Sequence, residues 1–148
     1  MKYQLSKKHS LSSGQTLAEI VVAIGIVILL IGGLIVGTTS AVRASDQGRM
    51  RSLAVKYNQE SMELTRQLRD NDWDAFQARS GLWCLDKPGT WTSGGSVCPV
   101  NIDNTFTRGA SFTWNAGALR MEVATTVSWQ DGAVAHQSQL FTYFTQWQ

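Results

Sequence analysis

Cysteine, proline and histidine are nearly absent from this 148-residue sequence, which holds two of each. Each scarcity removes a class of chemistry. Cys84 and Cys98 are too far apart for a C-x-x-C redox pair, and no histidine lies near them to complete a metal site. His136, the only histidine beyond residue 14, falls in a predicted strand with no serine or cysteine motif around it, so it reads as a packing residue rather than a general base. Asp86, Asp103 and Asp131 sit in predicted loops without the D-x-D-x-D-G spacing of a calcium site. No catalytic residue, metal or cofactor is expected. Both prolines, Pro88 and Pro99, come late, so none marks a break in a helix before Asn71. Charge is missing too, but only locally.

No charged residue occurs between Glu19 and Arg43. At 1.5 Å per residue, residues 20–42 span about 34 Å as a helix, enough to cross the roughly 30 Å hydrocarbon core of a bilayer. Glu19 stands at the mouth of this run, and a charge held in hydrocarbon costs several kcal/mol unless it finds a partner. Cleavage after Gly14 would create an α-ammonium on Gln15, four residues upstream of Glu19. That pair can form within one chain or between neighbouring chains. Gly33 and Gly37 form a G-x-x-x-G spacing, with Gly25 and Gly32 nearby; close helix packing and the general frequency of glycine in membrane helices both account for them.

At Gly14, Gln15, Thr16, Leu17 and Glu19, followed by the apolar run, the sequence resembles the type IV pilin and pseudopilin family. Gly14 matches the leader glycine, Gln15 the first mature residue (most often Phe in the family), and Glu19 the acid at the fifth mature position. The resemblance implies cleavage by a prepilin peptidase between Gly14 and Gln15, a modified Gln15 amino terminus, and Glu19 as the assembly residue. It implies other pilin subunits, a membrane assembly platform and, before assembly, the lipid bilayer as partners. The precursor would be a single-pass cytoplasmic-membrane protein with its head outside the cytoplasm, becoming part of a surface filament or pseudopilus. The small head and terminal aromatic strand resemble minor pilins. In assembled filaments of the family part of this helix loses regular hydrogen bonding, and Gly32, Gly33 and Gly37 would ease that melting.

Residues 1–14 are basic and carry no acid, which holds the amino terminus in the cytoplasm. Removing them takes 13 basic residues to 10 against 11 acidic, so the formal charge moves from +2 to −1. No basic stripe remains, and nucleic acid is not indicated as a partner. A secretory signal peptide is the competing reading, with cleavage near Thr39-Ser40-Ala41, but its apolar core is usually only about 7–15 residues. A membrane-tethered extracellular binding or sensing module that does not polymerise is the alternative function; it explains the apolar run but leaves Gly14 and Glu19 without a role.

Past Arg43 the helix pattern continues. Met50, Leu53, Tyr57, Leu64 and Leu68 form one stripe, with Lys56–Glu60 and Glu63–Arg66 as solvated pairs. A helix over about 16–69 is predicted, stopping at Asp70-Asn71-Asp72. From Trp73 the composition turns to Gly, Ser, Thr, Asn and Trp. Ser111–Trp114 and an alternating run from Leu119 to Trp129 read as strands, Asp131-Gly132 as a hairpin turn, and Val134 to Trp147 as a return strand with a bulge or two-sided burial. Six tryptophans should mostly be core, with Trp91 in the Cys84–Cys98 loop the candidate for exposure and for contact with sugars or surfaces. In a translocated domain those cysteines are expected to form a disulfide. The expected fold is α+β: residues 1–14 a removed leader, 15–42 a membrane or filament-core helix, 43–72 its amphipathic continuation, and 73–148 an antiparallel head of three or four strands packed on it.

Overall fold

A stretch of 59 residues without a proline forms one helix, α1 (Ser13–Asn71), in the computed structural model, which describes residues 13–146. The chain divides into two compact units, one up to Asp46 and one from Gln47 onward. In the first, every described side chain is exposed. Two hydroxyls in the apolar stretch are satisfied within the helix: those of Thr38 and Thr39 donate to the Ile35 carbonyl at 3.0 and 2.8 Å.

In the second unit α1 stops where the polar triplet predicts. Asp72 turns extended, and its carboxylate accepts the Ala75 N–H at 2.9 Å, capping a second helix, α2 (Trp73–Gln77), that the sequence reading did not foresee. Five strands follow: β1 (Gly81–Leu85), β2 (Trp91–Gly95), β3 (Phe106–Asn115), β4 (Arg120–Asp131) and β5 (Val134–Phe144). They form one antiparallel sheet in the order β2-β1-β3-β4-β5. The sheet thus has five strands instead of three or four. β1 and β2 escaped the sequence reading because they are short, and β2 is Thr-Ser-Gly-Gly after Trp91, with no alternation to read.

The β4–β5 hairpin follows the expected alternation, with two corrections. Leu119 lies outside β4, in the preceding turn at φ 48°, and the Asp131↔Val134 pairing makes Gly132-Ala133 the two-residue turn, with Gly132 at φ 61°. A single positive φ at the first central residue fits a type II′ turn. β5 carries no bulge. One register runs from Met121↔Phe144 to Asp131↔Val134, and the strand ends before Trp147, which lies outside the described residues. Burial is one-sided: Phe144 points inward, while Phe141 and Tyr143 face solvent at 55% and 50% exposure, their rings 4.9 Å apart.

The helix face against the sheet differs from the predicted stripe. Ala54, Tyr57, Asn58, Ser61, Met62 and Thr65 are buried, whereas Met50, Leu53, Leu64 and Leu68 are only half-buried. Small hydroxyl residues fit there because Ser61 and Thr65 each donate one turn back at 2.7 Å, to Tyr57 and Ser61 carbonyls, and leave no orphan donor. Asn58 reaches the edge strand, donating to the Ser138 carbonyl at 2.8 Å and to its hydroxyl at 2.9 Å. This uses an edge group that would otherwise invite another strand.

The core is consequently split. One apolar cluster gathers Met62, Phe76, Phe112, Met121, Val123 and Phe144; the other gathers Ala54, Tyr57, Ile102, Phe106, Val127 and Trp129. Between them lies Arg108, its side chain fully buried. Nε donates to the Leu85 carbonyl at 3.1 Å, Nη2 to the Asp86 carbonyl, and Nη1 lies 3.4 Å from the Glu60 carboxylate. Burial pushes this guanidinium below its ordinary range, and Glu60 pulls it back up. Arginine stays charged under such a shift, so the ion pair persists.

The disulfide Cys84–Cys98 forms, with Cα atoms 5.4 Å apart. It lies against two glycines: a Cβ on Gly94 would sit 2.6 Å from Cys84 Sγ, and one on Gly109 would sit 3.0 Å from Cys98 Sγ. Any larger residue at either position would displace a sulfur.

Two stability outcomes are expected. Arg108→Met strands the Leu85 and Asp86 carbonyls and lowers the unfolding free energy by about 2–4 kcal/mol, read by chemical denaturation. Reducing Cys84–Cys98 lowers it by about 3 kcal/mol on the loop-entropy scale, read by denaturation with and without reductant.

Candidate functional site: the apolar helix and its acidic mouth

Leucine, isoleucine and valine occupy every face of α1 between Leu17 and Val36, and each is 51–77% exposed. Leaving one such side chain in water forgoes about 1.5–3 kcal/mol relative to burying it. Summed over this segment the cost exceeds the roughly 5–15 kcal/mol stability of a whole domain. The described residues therefore leave this surface to be covered by something else. A stripe on one face would indicate a single docking partner; apolar residues all round indicate lipid or a surrounding bundle. By length and composition this is a helix able to cross a membrane.

The glycines fit the same demand. A Cβ added at Gly25, Gly32, Gly33 or Gly37 would meet nothing within 4 Å. Among the described residues no packing requires glycine there. The notch left by Gly33 and Gly37 faces outward, where a second helix can approach closely.

Glu19 is exposed on α1, and among the described residues no ion pair engages it. Gly14 and Gln15 lie in the first turn of α1, about one turn before Glu19. Most of the predicted leader, residues 1–12, lies outside the described residues.

The head places its titratable groups in structural work. The His136 ring stacks on Trp129 at 5.4 Å and 21°. Asp86 accepts the Thr90 N–H at 2.7 Å, and Asp131 accepts from Gln47 at 3.2 Å. Among the described residues no three His, Cys, Asp or Glu side chains cluster as metal ligands. Trp91 is half-buried rather than free: its ring meets Phe112 at 5.8 Å, because the β1–β2 pairing turns it towards the core.

Sequence reasoning missed the Asp103 junction. This aspartate, at φ 48°, accepts from Tyr57 Oη at 3.0 Å and from Lys87 Nζ at 2.5 Å, tying the loop before β3 to both α1 and the β1–β2 loop. The Lys87 ammonium first, and the Tyr57 hydroxyl second, hold the Asp103 carboxyl below the usual carboxylate range. The same hydrogen bond raises Lys87, while desolvation first and Asp103 second raise Tyr57. An Asp-Asn pair in a loop carries no sign of these partners in sequence; only the positive φ values at Asp103 and Asn104, tolerated best by these residue types, fit their identity.

Comparison of the chain with protein-family models, curated proteins and solved structures returned no match.

A carboxyl with a lowered folded pKa contributes stability above its unfolded value and loses it as pH falls through the folded value. The wild type should therefore lose more thermal stability than Asp103→Asn between about pH 5 and pH 2. Parallel melting curves over that acid range would refute the assignment.

Proposed function

We propose that this chain is a structural subunit of a pilus-like or pseudopilus-like filament, processed between Gly14 and Gln15 and assembled through its apolar helix. The observation that carries the reading is the exposed, uncharged helix with one carboxylate, Glu19, at its mouth, the fifth residue after Gly14. A membrane anchor explains the apolar surface alone. Assembly explains the acid as well.

In the bilayer the precursor waits with residues 20–42 in hydrocarbon. Gly14 weakens the first turn of the helix, since glycine disfavours helix by about 1 kcal/mol relative to alanine, and a peptidase gains access to the Gly14–Gln15 bond more easily. Cleavage removes the basic leader and frees an ammonium at Gln15. In a bundle of such helices an uncompensated carboxylate is costly, so Glu19 of one subunit pairs with the amino terminus of a neighbour and fixes the axial register. The outward notches at Gly33 and Gly37 let neighbouring helices close in. The partners under this reading are a prepilin-type peptidase, further subunits of the same kind, and a membrane assembly platform. A low-abundance subunit is favoured over a bulk one by the small head.

Intact-mass measurement of the chain isolated from its host should give a mass starting at Gln15, with or without amino-terminal modification. A chain that retains Met1 would be a permanent tether, and one starting near Ala41 a secreted domain; either sinks the proposal. Glu19→Ala should leave membrane levels unchanged and deplete the chain from sheared filaments by about tenfold, the effect of about 1.4 kcal/mol. Normal incorporation removes the role given to the acid.

A further inference from the structure

Beside the β3–β4 turn, a groove of about 510 Å³ is lined by Trp73, Gln77, Trp114, Leu119, Thr145 and Gln146. The filament reading gives it no role. Its size suits a small ligand. Trp73 and Trp114 meet edge to face at 6.1 Å and 74°, forming a corner. Both rings rest on the apolar cluster around Phe76, with Trp73 at 5.8 Å from that ring, so the platform is fixed before any ligand arrives.

The polar groups of the groove are neutral and unspent. Trp83 donates its indole N–H to the Ser80 carbonyl. By contrast, among the described residues neither indole N–H of Trp73 and Trp114 has an acceptor, nor do the amides of Gln77 and Gln146 find partners. Among the described residues no charged side chain lines the groove.

Leu119 supplies an independent observation. It holds φ 48°, a conformation that favours glycine, and leaves its side chain 71% exposed at the rim. Glycine would relieve both costs. The turn is otherwise well built, with Asn115 Oδ1 accepting the Ala118 N–H at 3.1 Å and Asn115 Nδ2 donating to Glu122. A leucine kept in strained backbone and in water, beside two fixed tryptophans, marks a contact surface.

We propose that this groove binds a neutral saccharide of one or two pyranose rings. The C–H face of a pyranose stacks on an indole ring, its hydroxyls match the amides and indole N–H groups, and Leu119 covers an outer C–H edge. An anion would find no counter-charge there. The proposal stands apart from the filament reading and does not rest on it.

The test is saturation-transfer NMR on the full chain in lauryldimethylamine oxide, a detergent without a sugar headgroup. The probes are maltose, lactose, cellobiose and N,N′-diacetylchitobiose at about 10 mM, above the Kd of a weak site. At least one should receive saturation on its ring protons. Gln77→Ala and Leu119→Gly should each weaken that transfer by about fivefold, on the scale of one lost neutral contact. Leu119→Gly suits the backbone and should melt at or above the wild-type temperature, which separates lost binding from lost fold. Silence from every sugar overturns the proposal. Transfer that is unchanged in both variants overturns it too, as does a groove found closed by a protein segment.

Discussion

Everything in this chain answers to one constraint: an uncharged helical surface that the described residues do not cover. From Leu17 to Val36 the helix offers apolar side chains in every direction. Water cannot be the final environment of such a rod, since the cost of hydrating it exceeds what a small domain gains by folding. The exterior must supply what a core supplies elsewhere. Glu19 then becomes the one polar decision along the segment, because a carboxylate at the edge of hydrocarbon needs a partner and the described chain offers none.

The same helix meets a different problem after Gln47, and solves it with unexpected residues. Asn58, Ser61 and Thr65 are fully buried against the sheet. The Ser61 and Thr65 hydroxyls are spent one turn back and the Asn58 amide N–H on Ser138, so α1 approaches the strands closely through small side chains. Arg108 crosses the middle of that interface and bonds to carbonyls of Leu85 and Asp86 as well as to Glu60. A purely apolar interface would slide more easily. A buried arginine that must find three specific acceptors allows one register, and it divides the core into two clusters as the consequence.

Function then separates along chemical lines. The apolar segment carries the assembly reading, in which the helices of neighbouring subunits cover one another and Glu19 sets their stagger. The head is neutral where it is concave. Two half-buried tryptophans, unspent amides and the strained Leu119 gather at one end of the sheet and offer a site for an uncharged ligand. The disulfide instead holds β1 and the following loop against glycines and leaves its own tryptophan, Trp91, turned inward.

What the sequence by itself determined was whatever depends on neighbours along the chain. The uncharged run, the Gly14 to Glu19 spacing, the stop at Asp70-Asn71-Asp72 and the alternation of β4 are local patterns, and each reads directly. The tertiary structure decided the rest, because it depends on residues far apart in sequence. Arg108 has acceptors 22 and 23 positions away, and a contact at 3.5 Å with a carbonyl 51 away. Its burial was visible only as a parity, since it shares the inward phase of Phe106, Ala110 and Phe112, and that phase means nothing until the strand is known to face a helix. β1 and β2 exist because β3 templates one and the disulfide closes the loop beside them, not because a tryptophan followed by Thr-Ser-Gly-Gly prefers a strand. The corner between Trp73 and Trp114 likewise needs α2 and β3 brought together, which no spacing in the chain records.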